Sequence, residues 1–265
     1  MDDHPAVATE LLFDGYRGQI ARYPDFWAIT APDAPDDYFG NYLLLASPPH
    51  DHDKGWLEQS FDRHIGRDPR IRHRTFQWTL QEGQHSRLAG FITAGYHYLE
   101  LQALGVTTTQ LRQPAGAQSL PVRPFVHHDW PAWHALELAE RDPAHNAVDY
   151  ARFLDGRMAL YHAMIADGLG QWWGMWEGEE LVASCGLFFK GSLGRFQWVR
   201  TRERWRNRGL CRHLLYQVAS HGLQRVPEII IVADSDYFAH RIYRNLGFET
   251  RGRLGSLFRR KRPEP

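Results

Sequence analysis

The spacing of hydrophobic positions changes near residue 107, and the change divides the chain. Ahead of it, DFWAIT (25–30), NYLLLA (41–46), RTFQWTL (74–80) and YHYLELQAL (96–104) are short runs rich in aromatic and branched side chains, as strands are. Between them, Gly55 to Ile65 repeats its apolar residues at helical spacing. These runs predict a small α+β domain over residues 1–106, without an evident site. The stretch TTTQLRQPAGAQSLPV (107–122) follows neither period and gathers Pro, Gly and Ala. Residues 107–120 are therefore expected to be a linker, and 121–265 a second domain.

In the second part a short strand near Pro121 to Val126 precedes two segments with helical spacing, WPAWHALELAER (130–141) and VDYARFLDGRMALYHAMIAD (148–167), with Asp129 as an expected N-cap. Residues 171–201 then alternate three strand-like runs with two turn signals, EGEE (177–180) and KGSLG (190–194), which predicts an antiparallel meander. A helix from Gly209 to Leu223, the apolar strand EIIIVAD (228–234), a helix over about 237–246 and final strands complete the pattern. Strand, helix, strand in that order implies a right-handed crossover joining two parallel strands.

Charge changes the picture locally rather than globally. Thirty-one basic residues balance thirty-one acidic ones, so no overall field favours nucleic acid or a membrane surface, and no apolar run approaches the roughly 20 residues of a membrane span. Yet RERWRNRGLCRHLLYQV (202–218) sets a cluster of arginines and a glycine directly before a helix. By itself this stretch reads either as a solvated basic turn before a surface helix or as a cradle for an anion. On the second reading unpaired amides at the helix start lie beside Arg206 and Arg208, Gly209 lets a ligand approach the backbone, and the amides of Arg208, Gly209, Leu210 and Cys211 are the expected donors. The two cysteines, Cys185 and Cys211, have no CxxC spacing and no signal peptide precedes them, so a reducing cytoplasm is the expected compartment.

A second constellation follows in DSDYFAHRIYRNLGFE (234–249), where Ala239, Ile242 and Leu246 share a helical face and Gly247-Phe248 stops the helix. The order strand, R-x-x-G-x-[GAC], helix, apolar strand, [ND]-x-x-A-x-x-[LI]-Y-x-x-x-G-F is carried here by Arg206, Gly209, Cys211, Asp236, Ala239, Ile242, Tyr243, Gly247 and Phe248. It resembles the GNAT superfamily of acyl-CoA-dependent N-acyltransferases over about residues 121 to 262. The resemblance implies a GNAT fold: α/β in the mixed α+β sense, with a central mixed, mostly antiparallel sheet flanked by helices, beside the smaller N-terminal α+β domain. It implies acetyl-CoA as co-substrate and no metal.

Carried over by position, the resemblance places the coenzyme A pyrophosphate on the loop of Arg206, Asn207, Arg208, Gly209, Leu210 and Cys211. Pantetheine lies between the strand matching Phe196 to Thr201 and the strand matching Ile229 to Ala233, where its amides pair with strand edges. Val199 and Thr201 line that gap, the Val199 amide being the oxyanion donor, and Asp236 and Ala239 also belong to the cofactor-binding set. Tyr243 matches a tyrosine that stands near the thioester sulfur and protonates the leaving thiolate; read without the resemblance, it is a buried helix tyrosine. RFQWVR (195–200) lacks the carboxylate that many relatives place on this strand, so the base is a water chain, Asp234 or Glu203. Asp236 stands where Asn is more usual, and is equally an N-cap.

Other clusters suggest less. HDHD (50–53) lies in a Pro-flanked loop without a third metal ligand at recognised spacing and reads as a solvated tip, and HHD (127–129) reads as a helix entrance. The aromatics Trp172, Trp173, Trp176, Phe188, Phe189, Phe196 and Trp198 read as core, with alternate members free to line an acceptor pocket. In the first half LAGFITAGYHYLEL (88–101) echoes the passage around Gly247-Phe248, which suggests a degenerate GNAT-like repeat lacking the arginine loop. The expected function is transfer of the acetyl group to a primary amine of a small molecule by direct attack, in a monomer or homodimer without nucleic-acid or membrane partners. The alternatives are a peptide or protein amine as acceptor, or a non-catalytic acyl-CoA sensor.

Overall fold

Pro5 opens the first helix at a position where a missing amide costs nothing. The computed structural model describes residues 4–81, 86–116, 120–235 and 240–260. In chain order the elements are α1 (Pro5–Arg17), β1 (Gln19–Arg22), β2 (Phe26–Thr30), β3 (Tyr42–Leu45), α2 (Lys54–His64), β4 (His73–Leu80), α3 (Ala89–Thr93) and β5 (His97–Thr107). There follow β6 (Val122–Pro124), α4 (Trp130–Ala139), α5 (Ala147–Ala166), β7 (Gly170–Glu177), β8 (Glu180–Lys190) and β9 (Leu193–Thr201). Then come α6 (Leu210–Gly222), β10 (Glu228–Asp234), α7 (His240–Asn245) and β11 (Glu249–Arg260). The fold is mixed α/β. Its described residues separate into two compact units, one drawn from 1–103, 232–237 and 250–265, the other from 104–231 and 238–249.

In the first unit the strands run β1-β2-β3-β4-β11-β5. Every pair with a stated register is antiparallel except β3 with β4, which are parallel and joined through α2. The core gathers Leu57 and Phe61 of α2, Phe91 of α3, and Leu43, Phe76, Trp78 and Leu257 from the strands. Two features depart from the sequence pattern. No element is expected before residue 25, yet α1 forms and buries Ala6, Val7, Leu11 and Phe13. The final strand, continuous in sequence with the second half, lies in the first unit, held to β4 by an unbroken register from Arg253↔Leu80 to Arg260↔His73.

A buried charge network ties α1 to this sheet. The Tyr42 hydroxyl donates to Asp14 Oδ2 at 2.8 Å, and Arg17 donates to Asp14 Oδ1 at 3.1 Å and to Asp37 Oδ2 at 2.6 Å. Burial raises the Asp14 carboxyl far above the usual carboxylate range; Glu10 pushes the same way and Arg17 opposes it. An acid that binds its proton more tightly folded than unfolded stabilises the fold at low pH and loses that contribution as pH rises through its raised pKa. Asp14→Asn is therefore expected to melt a few degrees above the wild type at neutral pH, the gap closing as the pH falls into the ordinary carboxylate range. Equal melting temperatures across a pH series would show that Asp14 carries no such linkage.

The second unit follows the expected order. β6, β7, β8 and β9 form an antiparallel meander, and β9 passes through α6 to the parallel strand β10. Helices α4 and α5 pack together and reach β8 and β7, while α6 lies on β7, β8 and β9. Asp129 does not cap α4 with its side chain; Arg123 takes both carboxylate oxygens at 2.6 and 2.8 Å, and the Val126 amide donates to Oδ2 at 2.7 Å. Asn146 caps α5, accepting from the amides of Val148 and Asp149.

The two halves repeat one motif, as the echo in the sequence suggests. After α7, the Phe248 amide donates to Tyr243 O at 3.1 Å and the Gly247 amide to Arg244 O at 3.0 Å; after α3, Tyr96 donates to Phe91 O at 3.0 Å and Gly95 to Ile92 O at 2.9 Å. Both glycines adopt positive φ, +96° and +85°, closing each helix with a left-handed turn before a buried aromatic and a strand. The parallel pair β3-α2-β4 likewise repeats β9-α6-β10. Phe91 therefore stands where Tyr243 stands in the second half, and it carries no hydroxyl.

Candidate active site

The site is built on the point where β9 leaves its neighbours. β10 pairs with β9 only at Leu193 to Arg195, so the stretch Phe196 to Thr201 has no register partner on β10. In the first unit β3 stays paired with β4 through Leu45, its last residue. A splayed strand exposes backbone amides and carbonyls to an extended ligand, and a strand paired to its end does not. On its other edge β9 carries a bulge: Ser184 faces Arg200 and Gly186 faces Gln197, leaving Trp198 and Val199 opposite Cys185 alone. Trp198 takes a φ of +52°, and the bulge puts Val199 out of regular register at the position assigned to the oxyanion donor.

After Thr201 a 3₁₀ turn over Glu203 to Trp205 leads into the loop, where Asn207 has φ +62° and Gly209, the N-cap of α6, has φ +77°. Two left-handed residues in three fold the chain back sharply before the helix, concentrating backbone amides at its positive end. A Cβ on Gly209 would meet only the Arg212 guanidinium, at 3.2 Å, so the space above it is bounded by a cation. Leu210 is buried and anchors the first turn of α6. Cys211 is a free thiol pushed up to about 11 by burial, so it is protonated and no nucleophile near neutral pH.

The arginines divide into two kinds. Arg202 Nε lies 2.9 Å from Glu180 Oε1, Arg204 pairs with Oε2 of the same carboxylate, and the Trp205 indole donates to that oxygen at 3.3 Å. Burial works to raise Glu180, but the Arg204 and Trp205 hydrogen bonds outweigh it and hold the carboxyl below its usual range. Arg206 donates to Glu140 Oε2 at 2.7 Å and to Thr201 O at 3.1 Å, while Glu140 Oε1 accepts the Glu203 amide at 2.9 Å. Arg208 instead stacks on the Trp205 ring at 4.6 Å, and Arg212 lies over Gly209. Among the described residues neither of these last two has a carboxylate partner.

Glu137 of α4 is fully buried and its Oε2 accepts Arg200 Nε at 3.0 Å and Nη2 at 2.9 Å. Burial raises its carboxyl, against the pull of Arg200. Sequence reading passed over Glu137, Glu140 and Glu180. A trace of Glu137 was visible, since it falls at helical spacing from Trp130 and Trp133 on an apolar face. Glu140 and Glu180 leave no such trace.

Thr201, Arg206, Asn207, Arg208, Gly209, Leu210 and Cys211 thus follow one another from the end of β9 through the loop into the first turn of α6, with Val199 two residues before Thr201. Tyr243, 5% exposed on α7, joins them through rings: its centroid is 6.2 Å from Phe248, which lies 6.3 Å from Phe196 at the start of the splayed stretch. Asp234 ends β10 in the 232–237 segment that belongs to the first unit. Asp236 and Ala239 lie outside the described residues. Among the described residues no group of three His, Cys, Asp or Glu is placed to hold a metal, HDHD included, and no helix is long and apolar enough to cross a membrane.

Comparison with known proteins bears on the family and the fold. Residues 130–248 match the model of the acetyltransferase (GNAT) family. A Staphylococcus epidermidis protein of unknown function is 13% identical, with a TM-score of 0.74 over 92% of this chain and 95% of that one. A GCN5-related N-acetyltransferase from Kribbella flavida is 14% identical, with a TM-score of 0.65 over 100% of this chain and 97% of its own. A tandem GNAT protein from the clavulanic acid biosynthesis pathway is 13% identical, with a TM-score of 0.52 over 91% and 84%. At these identities the likeness is one of fold. No curated protein sequence matches the chain.

Proposed function

We propose that the chain, whose residues 130–248 match the acetyltransferase (GNAT) family model, transfers the acetyl group of acetyl-CoA to a primary amine of a small molecule. The observation that carries this reading is the splay of β9 running directly into the left-handed turn at Asn207 and Gly209. The turn's amides hold the diphosphate, and the exposed edge of Phe196 to Thr201 pairs with the pantetheine amides. Acetyl-CoA supplies the activated acyl group. The Val199 amide hydrogen-bonds the thioester carbonyl oxygen and stabilises the charge that grows there as the neutral amine attacks. As the C–S bond breaks, the Tyr243 hydroxyl protonates the departing thiolate and is reprotonated by the proton that the newly acylated nitrogen gives up. With no carboxylate on β9, a water chain removes the proton from the acceptor ammonium.

The first half takes no part in donor binding on this reading. Its loop between β3 and α2, ASPPHDHD, has two prolines that donate no amide and two aspartates where an anion would have to sit. Asp51 instead accepts the Gly90 amide at the start of α3, at 2.7 Å.

Calorimetric titration with acetyl-CoA, followed by a free-thiol assay against a panel of amines, tests the proposal. Binding with thiol release for a small amine supports it. Release only with a peptide amine moves the acceptor to the peptide class, binding without release makes the domain an acyl-CoA sensor, and no binding ends the reading. Within the proposal, Tyr243→Phe is expected to lower turnover about tenfold or more with acetyl-CoA affinity unchanged. Equal turnover would remove the phenol from the mechanism.

A further inference from the structure

An anion-binding loop ordinarily avoids carboxylates, yet two reach this one. Glu180 and Glu140 are both spent on its first part, residues 202–206. Glu140 occupies a poor place for an acid, the C-cap of α4, where the helix dipole repels negative charge. Its side chain is nonetheless only 10% exposed, with each oxygen taken by a donor of the loop. The second part of the loop shows the reverse imbalance: Arg208 and Arg212 crowd the positive end of a 13-residue helix, and among the described residues neither pairs with a carboxylate.

We propose that the loop's charges are partitioned: Glu140 is a positioning residue that braces the turn through Arg206 and the Glu203 amide, and Arg208 and Arg212 supply the cationic contacts to the donor diphosphate. Arg206, at the arginine position of the motif, then acts as a strut. Its guanidinium spans from Glu140 to Thr201 O, closing the turn between the end of β9 and the left-handed pair Asn207 and Gly209. With the strut in place the amides of residues 208–211 are already aligned when the anion arrives, so less ordering is charged against binding. The inference rests on the donor-binding reading above.

Coulomb attraction and bracing predict opposite signs, which makes the test sharp. Removing a carboxylate near a polyanion site should tighten binding if only charge matters. On the brace model, Glu140→Ala weakens coenzyme A binding about tenfold in calorimetry, the worth of a charged hydrogen bond. Glu140→Gln, which keeps an acceptor for the Glu203 amide, restores part of the loss. Arg206→Ala weakens binding to a similar degree, and the double variant Glu140→Ala/Arg206→Ala is no worse than either single one, because the two residues act as one strut. Arg208→Ala and Arg212→Ala each flatten the salt dependence of coenzyme A affinity, whereas Arg206→Ala leaves it unchanged. Tighter or unchanged binding by Glu140→Ala, or additive losses in the double variant, overturns the partition while the donor site stands. Failure of the wild type to bind coenzyme A removes the donor site and the partition together.

Discussion

Replacing Gly209 with valine is expected to weaken coenzyme A binding about a hundredfold or more while leaving a cooperative thermal transition. Gly209 holds φ +77° as the N-cap of α6, a conformation that a β-branched residue scarcely adopts. The turn would relax toward negative φ, turning away the amides that face the anion, and bound geometry would have to be bought back at each binding event. The added methyls also press on Arg212, whose Nη2 already lies 3.2 Å from where a Cβ would stand. Because that contact is the mobile end of a side chain, the fold itself survives. Calorimetry with coenzyme A beside a circular-dichroism melt separates the effects: unchanged affinity in a folded variant would dismiss the turn as the phosphate site.

The second large effect concerns stability and exploits the internal repeat. Gly247→Ala is expected to destabilise the protein by more than about 3 kcal/mol, beyond the cost of a left-handed alanine alone, whereas Gly95→Ala should cost about 1–2 kcal/mol. Both glycines close a helix at positive φ with equivalent hydrogen bonds, so their local backbone requirements match. Their surroundings differ. A Cβ on Gly247 would lie 1.9 Å from the backbone oxygen of Gln110, which cannot swing away; one on Gly95 meets nothing nearer than Arg259 Cδ at 3.8 Å. Urea denaturation of the two variants reads the difference, and equal losses would mean that the turn at Gly247 yields to its neighbour.

The contrast between these glycines shows what was legible in the sequence. Both helix stops were visible as Gly-aromatic pairs, because left-handed closure is a demand of the local backbone. The backbone that crowds Gly247 is distant in sequence and left no sign. The same division runs through the site. R-x-x-G-x-C before an amphipathic helix pointed to the turn from Arg206 to Cys211, and the meander and parallel crossover followed from period and order. The role of Arg206 did not, since the motif is silent about Glu140, which stands 66 residues away.

The sequence by itself determined what depends on a residue and its near neighbours: the elements of the second half, the arginine-rich turn with its glycine, the helix stops, and the resemblance of one half to the other. Tertiary structure alone decided what depends on partners far along the chain. It chose β4 as the neighbour of the final strand, set the bulge that displaces Val199, ended the pairing of β9 after Arg195, and sent carboxylates from α4 and β8 to neutralise three arginines of the loop. The physical reason is range. Backbone conformation and hydrophobic period act over a few residues, while the pairing of an edge strand or a charge is settled only when packing has fixed which distant groups meet.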